Sequence, residues 1–177
     1  MTKKHVLTQE EMFCLEGCGS YAQYYEMRKR FEGEVCPFCT IDEKVNLVIY
    51  EDAYWRVMDN AFPNDRPLDT MLLIASTDHS RKLCEISESG WLALHGIMRL
   101  IETHFFLPGG MLFMRFGDMR YNAGTVPHLH FNLWVPNKAG EVRIPVFKSE
   151  ESQRKNMVRS FEFSKRYQGG ETPEQPS

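Results

Sequence analysis

Two histidines and an asparagine stand at alternate positions in the run Pro127-His128-Leu129-His130-Phe131-Asn132-Leu133-Trp134. Polar and apolar residues alternate here with the period of a half-buried strand. His128, His130 and Asn132 therefore share one face, and Leu129, Phe131 and Leu133 share the other. Imidazoles on such a face are desolvated at a cost unless they are paired or reactive, so the run is a candidate for chemistry. A neutral imidazole suits two tasks, ligation of a metal or nucleophilic attack, depending on which ring nitrogen keeps its proton.

A second cluster lies far upstream. Cys36-Pro-Phe-Cys39 has the spacing with which two thiolates grip one tetrahedral ion, and zinc takes four nitrogen or sulfur ligands in a closed site. The total of 5 cysteines is odd, which favours ligation over a disulfide framework. His79 and His128 are the natural candidates for the two missing ligands, since both fall at polar ends of strands. A site built from Cys14, Cys18, Cys36 and Cys39 competes with it. A redox pair would need a βαβ setting that the following hairpin does not provide. Cys84 reads as a core thiol, His95 and His104 as non-ligating helix residues, and His5 as part of a tail.

These residues need a scaffold, and its elements can be read from the pattern. Thr8 with Glu11 reads as a capping box for a short helix, and residues 20–32 as a second helix before Gly33. Val45 to Tyr50 and Tyr54 to Asp59 form a hairpin, and Thr70 to Ala75 is a central strand. An amphipathic helix over residues 87–106 carries Trp91, Leu94, Ile97, Met98, Ile101 and Phe105 on one stripe. Met111 to Phe116 and the histidine run are the fourth and fifth strands, and Val142 to Phe147 is a candidate sixth. The expected layout is an N-terminal helical extension over 1–35, a core domain over 36–148, a C-terminal helix over 149–168 and a disordered tail over 169–177. Mostly antiparallel strands with one long helix between the third and fourth make an α+β fold of five to six strands.

At 177 residues, 42% hydrophobic and 25% charged, the chain can bury one substantial core. A net charge of −3 argues against attraction of nucleic acid over the whole surface, and no stable nucleic-acid partner is expected. No apolar run reaches membrane-spanning length, and the polar start leads to a cytoplasmic expectation.

Five blocks together resemble the histidine triad (HIT) family. They are Cys36-Pro-Phe-Cys39, Val48-Ile-Tyr-Glu-Asp52, Val57-Met-Asp59-Asn-Ala-Phe-Pro63, Leu72-Leu-Ile-Ala-Ser-Thr-Asp-His79 and Asn122-Ala-Gly-Thr-Val-Pro-His128-Leu-His130-Phe-Asn132. The resemblance covers about residues 36–136 and implies a HIT-like fold and, in its zinc-containing branch, Zn²⁺ as a structural cofactor held by Cys36, Cys39, His79 and His128. It further implies that His130 attacks the α-phosphorus of a nucleotide substrate to give a nucleotidyl-histidine. Thr125, Gly124 and Asn122 fall at phosphate-binding positions, Asp59 falls at a ribose-binding position, and a homodimer with joined sheets is expected.

The chain departs from the family pattern in three places, one of them the third strand block, which carries one or two extra residues and lacks the usual Pro-Gly-His. Asn132 replaces the third histidine, so it can bond a phosphate oxygen but cannot donate a proton to the leaving group. That favours phosphoanhydrides, whose phosphate departs with little help, and keeps nucleotidyl transfer or phosphorolysis open beside hydrolysis. The turn Arg115-Phe-Gly-Asp-Met-Arg120-Tyr121 also differs from the family's small asparagine-containing loop. A catalytically weak nucleotide-binding module is the reading from another class.

Overall fold

The computed structural model describes residues 15, 18–62, 67–122, 124–144 and 146. The capping box at Thr8, the C-terminal helix and the tail lie outside the described residues. Helix α1 spans Tyr21–Glu32, with the Ser20 side chain accepting from the Gln23 amide and Gly33 closing its end. Five strands follow: β1 Val48–Glu51, β2 Trp55–Asp59, β3 Leu68–Ser76, β4 Met111–Arg115 and β5 His130–Pro136. Helix α2, Glu88–His104, lies between β3 and β4 in the chain.

The strands make one antiparallel sheet in the order β1-β2-β3-β5-β4. β5 inserts between β3 and β4, so those two run in the same direction and α2 is the crossover that joins them. The histidine strand is thereby central, with hydrogen-bonded neighbours on both edges. This is an α+β architecture, as the element order implied.

The two faces of the sheet bury different sets. On one face Trp55, Val57, Leu72, Ile74, Phe131 and Leu133 pack against Leu94, Ile97 and Ile101 of α2. The Trp55 indole N–H donates to the Gly90 carbonyl at 2.7 Å, fixing the first turn of the helix to β2. On the other face Met58, Leu73 and Ala75 pack with Met27 of α1, Cys18, Cys36, Phe38, Cys39 and Val126. Met27 of the N-terminal extension is thus part of the core on the face that carries His130 and Asn132.

Three expectations are corrected. Residues 142–144 form no strand, and the sheet has five strands among the described residues; Pro145 within that run has no N–H for a ladder, and Val146 is exposed. On α2, Leu94, Ile97 and Ile101 are buried but Trp91 and Phe105 lie at the rim, 41% and 36% exposed. Cys84 is exposed rather than a core thiol, because it falls in a short turn before α2 and not on its buried stripe.

Ile74 is fully buried at the centre of β3. Truncation to alanine should cost about 2–5 kcal/mol in urea-induced unfolding, since packed neighbours on the sheet and α2 cannot close the cavity.

Candidate active site and metal centre

The C-x-x-C turn opens directly after α1 and is held from the sheet. Arg56, buried on β2, donates to the Phe38 carbonyl at 2.9 Å, and its other donors meet Glu51 at 2.6 and 3.0 Å. A charge-assisted bond to a buried carbonyl fixes the turn against β2. The Thr40 amide closes the turn on the Cys36 carbonyl at 3.0 Å.

The ligand atoms of Cys36, Cys39, His79 and His128 all lie within 4.8 Å of one another. Cys36 Sγ is 3.4 Å from His128 Nδ1, Cys39 Sγ is 3.2 Å from His79 Nδ1, and Cys39 Sγ is 3.5 Å from His128 Nδ1. Metal–sulfur and metal–nitrogen bonds of ordinary zinc length at a tetrahedral angle put sulfur and nitrogen about 3.6 Å apart. The cluster therefore has the dimensions of a tetrahedral site. His128 Nε2 lies 2.8 Å from the Ser76 carbonyl, which can only accept. Its proton is therefore on Nε2, and the bare Nδ1 lone pair points between the two thiols, as a metal ligand requires.

A hydrogen bond from Cys36 together with burial pushes the Cys39 thiol up to about 11. A cation would reverse that balance by favouring the thiolates. Cys18, the described member of the competing four-thiolate set, is buried in the same core but outside the four-ligand group. Cys14 lies outside the described residues.

His130 has the opposite tautomer. Its Nδ1 lies 2.7 Å from the carbonyl of His128, so Nδ1 carries the proton and Nε2 keeps its lone pair. The holding carbonyl belongs to the residue two positions earlier, not to a neighbouring strand. Burial, with the His128 and Arg115 charges acting in the same direction, pushes the His130 imidazolium down to about 4 against the pull of that carbonyl. The ring is neutral near pH 7. Phe38 packs edge-on to it, centroids 4.9 Å apart, and also meets the His128 ring at 5.6 Å.

Asn132 sits level with Leu73 on one side and Phe113 on the other, 5% exposed. Its Nδ2 is buried and finds no hydrogen-bond partner among the described residues. Buried amide donors are normally satisfied, so an unspent one on the histidine face marks a binding position.

The loop before β5 uses its polar groups internally. The Asn122 amide donates to the Phe116 carbonyl at 2.8 Å, and its Oδ1 accepts from the Gly124 N–H at 2.8 Å. Both groups are spent on loop shape. A Cβ at Gly124 would come within 2.7 Å of that oxygen, which explains the glycine. Thr125 is buried beside it. Asp59 ends β2, exposed, with Oδ1 accepting from the Asn60 N–H at 2.9 Å.

The segment 76–81 ties these parts together. The Ser76 amide donates to Leu129, the Leu129 amide to Ser80, and the Gly117 amide to Arg81. One stretch of backbone thus positions a candidate ligand, the entry to β5 and the loop after β4.

Two contributors escaped the reading of the sequence. Arg56 carried no local signal, because its partner carbonyl is set by folding. Arg115, at the end of β4, lies in register with His130. Only strand pairing shows that.

No family model and no curated protein matches the chain. Among solved structures, a HIT family hydrolase from Clostridium thermocellum is similar at 25% identity and a TM-score of 0.46, covering 62% of this chain and 96% of that one. A hypothetical histidine triad nucleotide-binding protein from Sulfolobus tokodaii is 22% identical, with a TM-score of 0.45 and coverage of 78% and 100%. A hypothetical protein from Leishmania major is 15% identical, with a TM-score of 0.47 and coverage of 76% and 94%.

Metal uptake by this cluster should release protons, and its apparent affinity should rise with pH, because Cys39 holds its proton until a cation displaces it. Elemental analysis should give about one zinc per chain. His79→Ala and Cys36→Ser should each lose the metal and lower the unfolding free energy by several kcal/mol.

Proposed function

We propose that this chain is a zinc-containing nucleotide-processing enzyme that hydrolyses nucleoside phosphoanhydrides through a covalent nucleotidyl-histidine on His130. The observation that carries the reading is the 2.7 Å bond from the His130 Nδ1–H to the His128 carbonyl. It leaves Nε2 as a neutral nucleophile on a half-buried face. Support also comes from the four-ligand cluster next to it and from the sequence blocks that resemble the histidine triad family.

Zinc, held by Cys36, Cys39, His79 and His128, would supply structural anchorage. The chain's own groups carry the chemistry. Attack by Nε2 forms an N–P bond while the P–O bond to the leaving phosphate breaks, its electron pair departing with that oxygen. The proton stays on Nδ1, donated to the His128 carbonyl, whose oxygen offsets the positive charge of the ring. Water then forms a new P–O bond, giving its proton to solvent, and the N–P bond breaks to restore Nε2. Asn132 Nδ2 donates to a phosphoryl oxygen, Thr125 lies beside the phosphates, and Asn122 with Gly124 shapes the loop that receives them. The remaining oxygen of Asp59 takes a ribose hydroxyl.

Asn132 also supports a second reading. Without a proton donor at that position, the adduct can pass to a phosphate or phosphorylated acceptor as readily as to water, which is nucleotidyl transfer or phosphorolysis. Binding without turnover remains the non-enzymatic alternative.

No helix among the described residues is long and apolar enough to cross a membrane. Cys36 and Cys39 used as thiol ligands rather than in a disulfide suit a reducing cytoplasm. β4 is an edge strand with Met111 and Leu112 exposed, which suits pairing with a second copy into a homodimer.

Incubation with a panel of dinucleoside polyphosphates tests the enzyme reading. His130→Ala should abolish turnover and the nucleotidyl adduct seen by mass spectrometry, while Asn132→Ala should weaken turnover, reducing kcat/KM by about 100-fold, the lower end of the scale for one lost charge-stabilising donor. Tight nucleotide binding with no turnover would instead establish the binding module. Light scattering should report a dimer that Leu112→Lys converts to monomer with zinc content unchanged; a monomeric parent protein would remove the dimer proposal.

A further inference from the structure

The third triad position of this chain cannot deliver a proton, and the strand next to it offers a cation instead. Arg115 is paired directly across from His130 in the β4–β5 ladder, as Phe113 is paired with Asn132. Residues directly opposite in an antiparallel pair share a face and stand about 5 Å apart at Cβ. The assignment of the face is independent of that rule. Phe113 packs edge-on to Trp134 at 4.8 Å, whereas Met114, level with Phe131, packs into the α2 side.

The arginine side chain can be followed from there. Its Cζ lies 5.3 Å from the centroid of the Phe113 ring, a cation–π contact that holds the planar group over an aromatic face. Its Cδ lies 3.7 Å from where a Cβ of Gly124 would be, so the chain runs under the loop 122–125. The guanidinium thus lies over Phe113, on the face that carries His130 and Asn132. Close by on the same face is the buried, unpartnered Asn132 Nδ2.

We infer that Arg115 is a catalytic residue that binds the leaving phosphate, offsetting by fixed charge what Asn132 cannot provide by proton transfer, and so favours substrates with anionic phosphate leaving groups over those whose leaving group must be protonated. The inference rests on His130 being the nucleophile. As the P–O bond breaks, the electron pair stays on the departing oxygen. Arg115 keeps all its protons and gives two parallel N–H bonds to the phosphate oxygens, a geometry that lysine lacks. Amine and alkoxide leaving groups need a proton and gain little from such a clamp. The substrate class is then nucleoside polyphosphates rather than nucleoside phosphoramidates or alkyl esters.

The test compares the zinc-loaded full chain with Arg115→Gln and Arg115→Lys on two substrates. One is a dinucleoside polyphosphate, which loses a nucleoside phosphate. The other is a 4-nitrophenyl ester of a nucleoside 5′-monophosphate, which loses an aryl oxide without phosphate. Arg115→Gln should lower kcat/KM for the first by about 100-fold, the scale of one lost charge-stabilising group, and for the second by less than about 5-fold. Arg115→Lys should fall between, and zinc content should match the parent in both variants. Equal losses on the two substrates, or no loss on the polyphosphate, would overturn the assignment even while His130 still forms its adduct. Should the Gln variant fail to fold, the Lys variant carries the same comparison. If the parent turns over neither substrate, the nucleophile reading fails on its own. Arg115 is then tested by calorimetry with a non-hydrolysable nucleoside triphosphate analogue, where Arg115→Gln should weaken binding by about 10-fold and unchanged binding rejects the phosphate contact.

Discussion

Two backbone carbonyls decide the chemistry of this sheet. The Ser76 carbonyl accepts from the Nε2–H of His128, and the His128 carbonyl accepts from the Nδ1–H of His130. A carbonyl cannot donate, so each contact fixes a tautomer without ambiguity. Two imidazoles on one short stretch of chain therefore present opposite nitrogens. One turns a lone pair toward a thiol cluster and the other keeps its Nε2 lone pair. The candidate metal ligand and the proposed nucleophile are distinguished by which carbonyl each ring meets, not by residue type.

That arrangement requires β5 to be central. An edge strand would leave one side of the histidine row open to water, and the rings would lose the burial that keeps His130 neutral. Insertion of β5 between β3 and β4 places Leu73 and Ala75 on one side and Phe113 and Arg115 on the other. The opposite face is closed by α2 through a hydrophobic cluster, so the polar face can carry unsatisfied donors without loosening the core. α1 and the C-x-x-C turn cover part of the polar face, with Met27, Phe38 and the two cysteines in one cluster.

The strand alternation in the histidine run and the C-x-x-C spacing were legible because both are local. The period of two assigns faces, and the thiol spacing limits the metals. The sheet order was partly legible for the same reason, through hairpins and the long amphipathic helix. What was not legible depends on pairing between distant segments. Arg56 acts on Phe38 across 18 positions, and Arg115 acquires its meaning only when opposed to His130. Asn122 looked like a direct contributor, yet its amide is used on Phe116 and Gly124. The candidate sixth strand does not form over residues 142–144, and its sequence already carried a contrary cue, a proline within the β-rich run.

The backbone of residues 76–81 bonds to Leu129 in both directions and to Gly117. Length changes within it would therefore be transmitted as rigid displacements to the sulfur–nitrogen cluster, the start of the histidine strand and the turn after β4 at once. Side chains along this segment can vary while its register cannot. A one-residue insertion there would be felt as a misalignment of three distant parts.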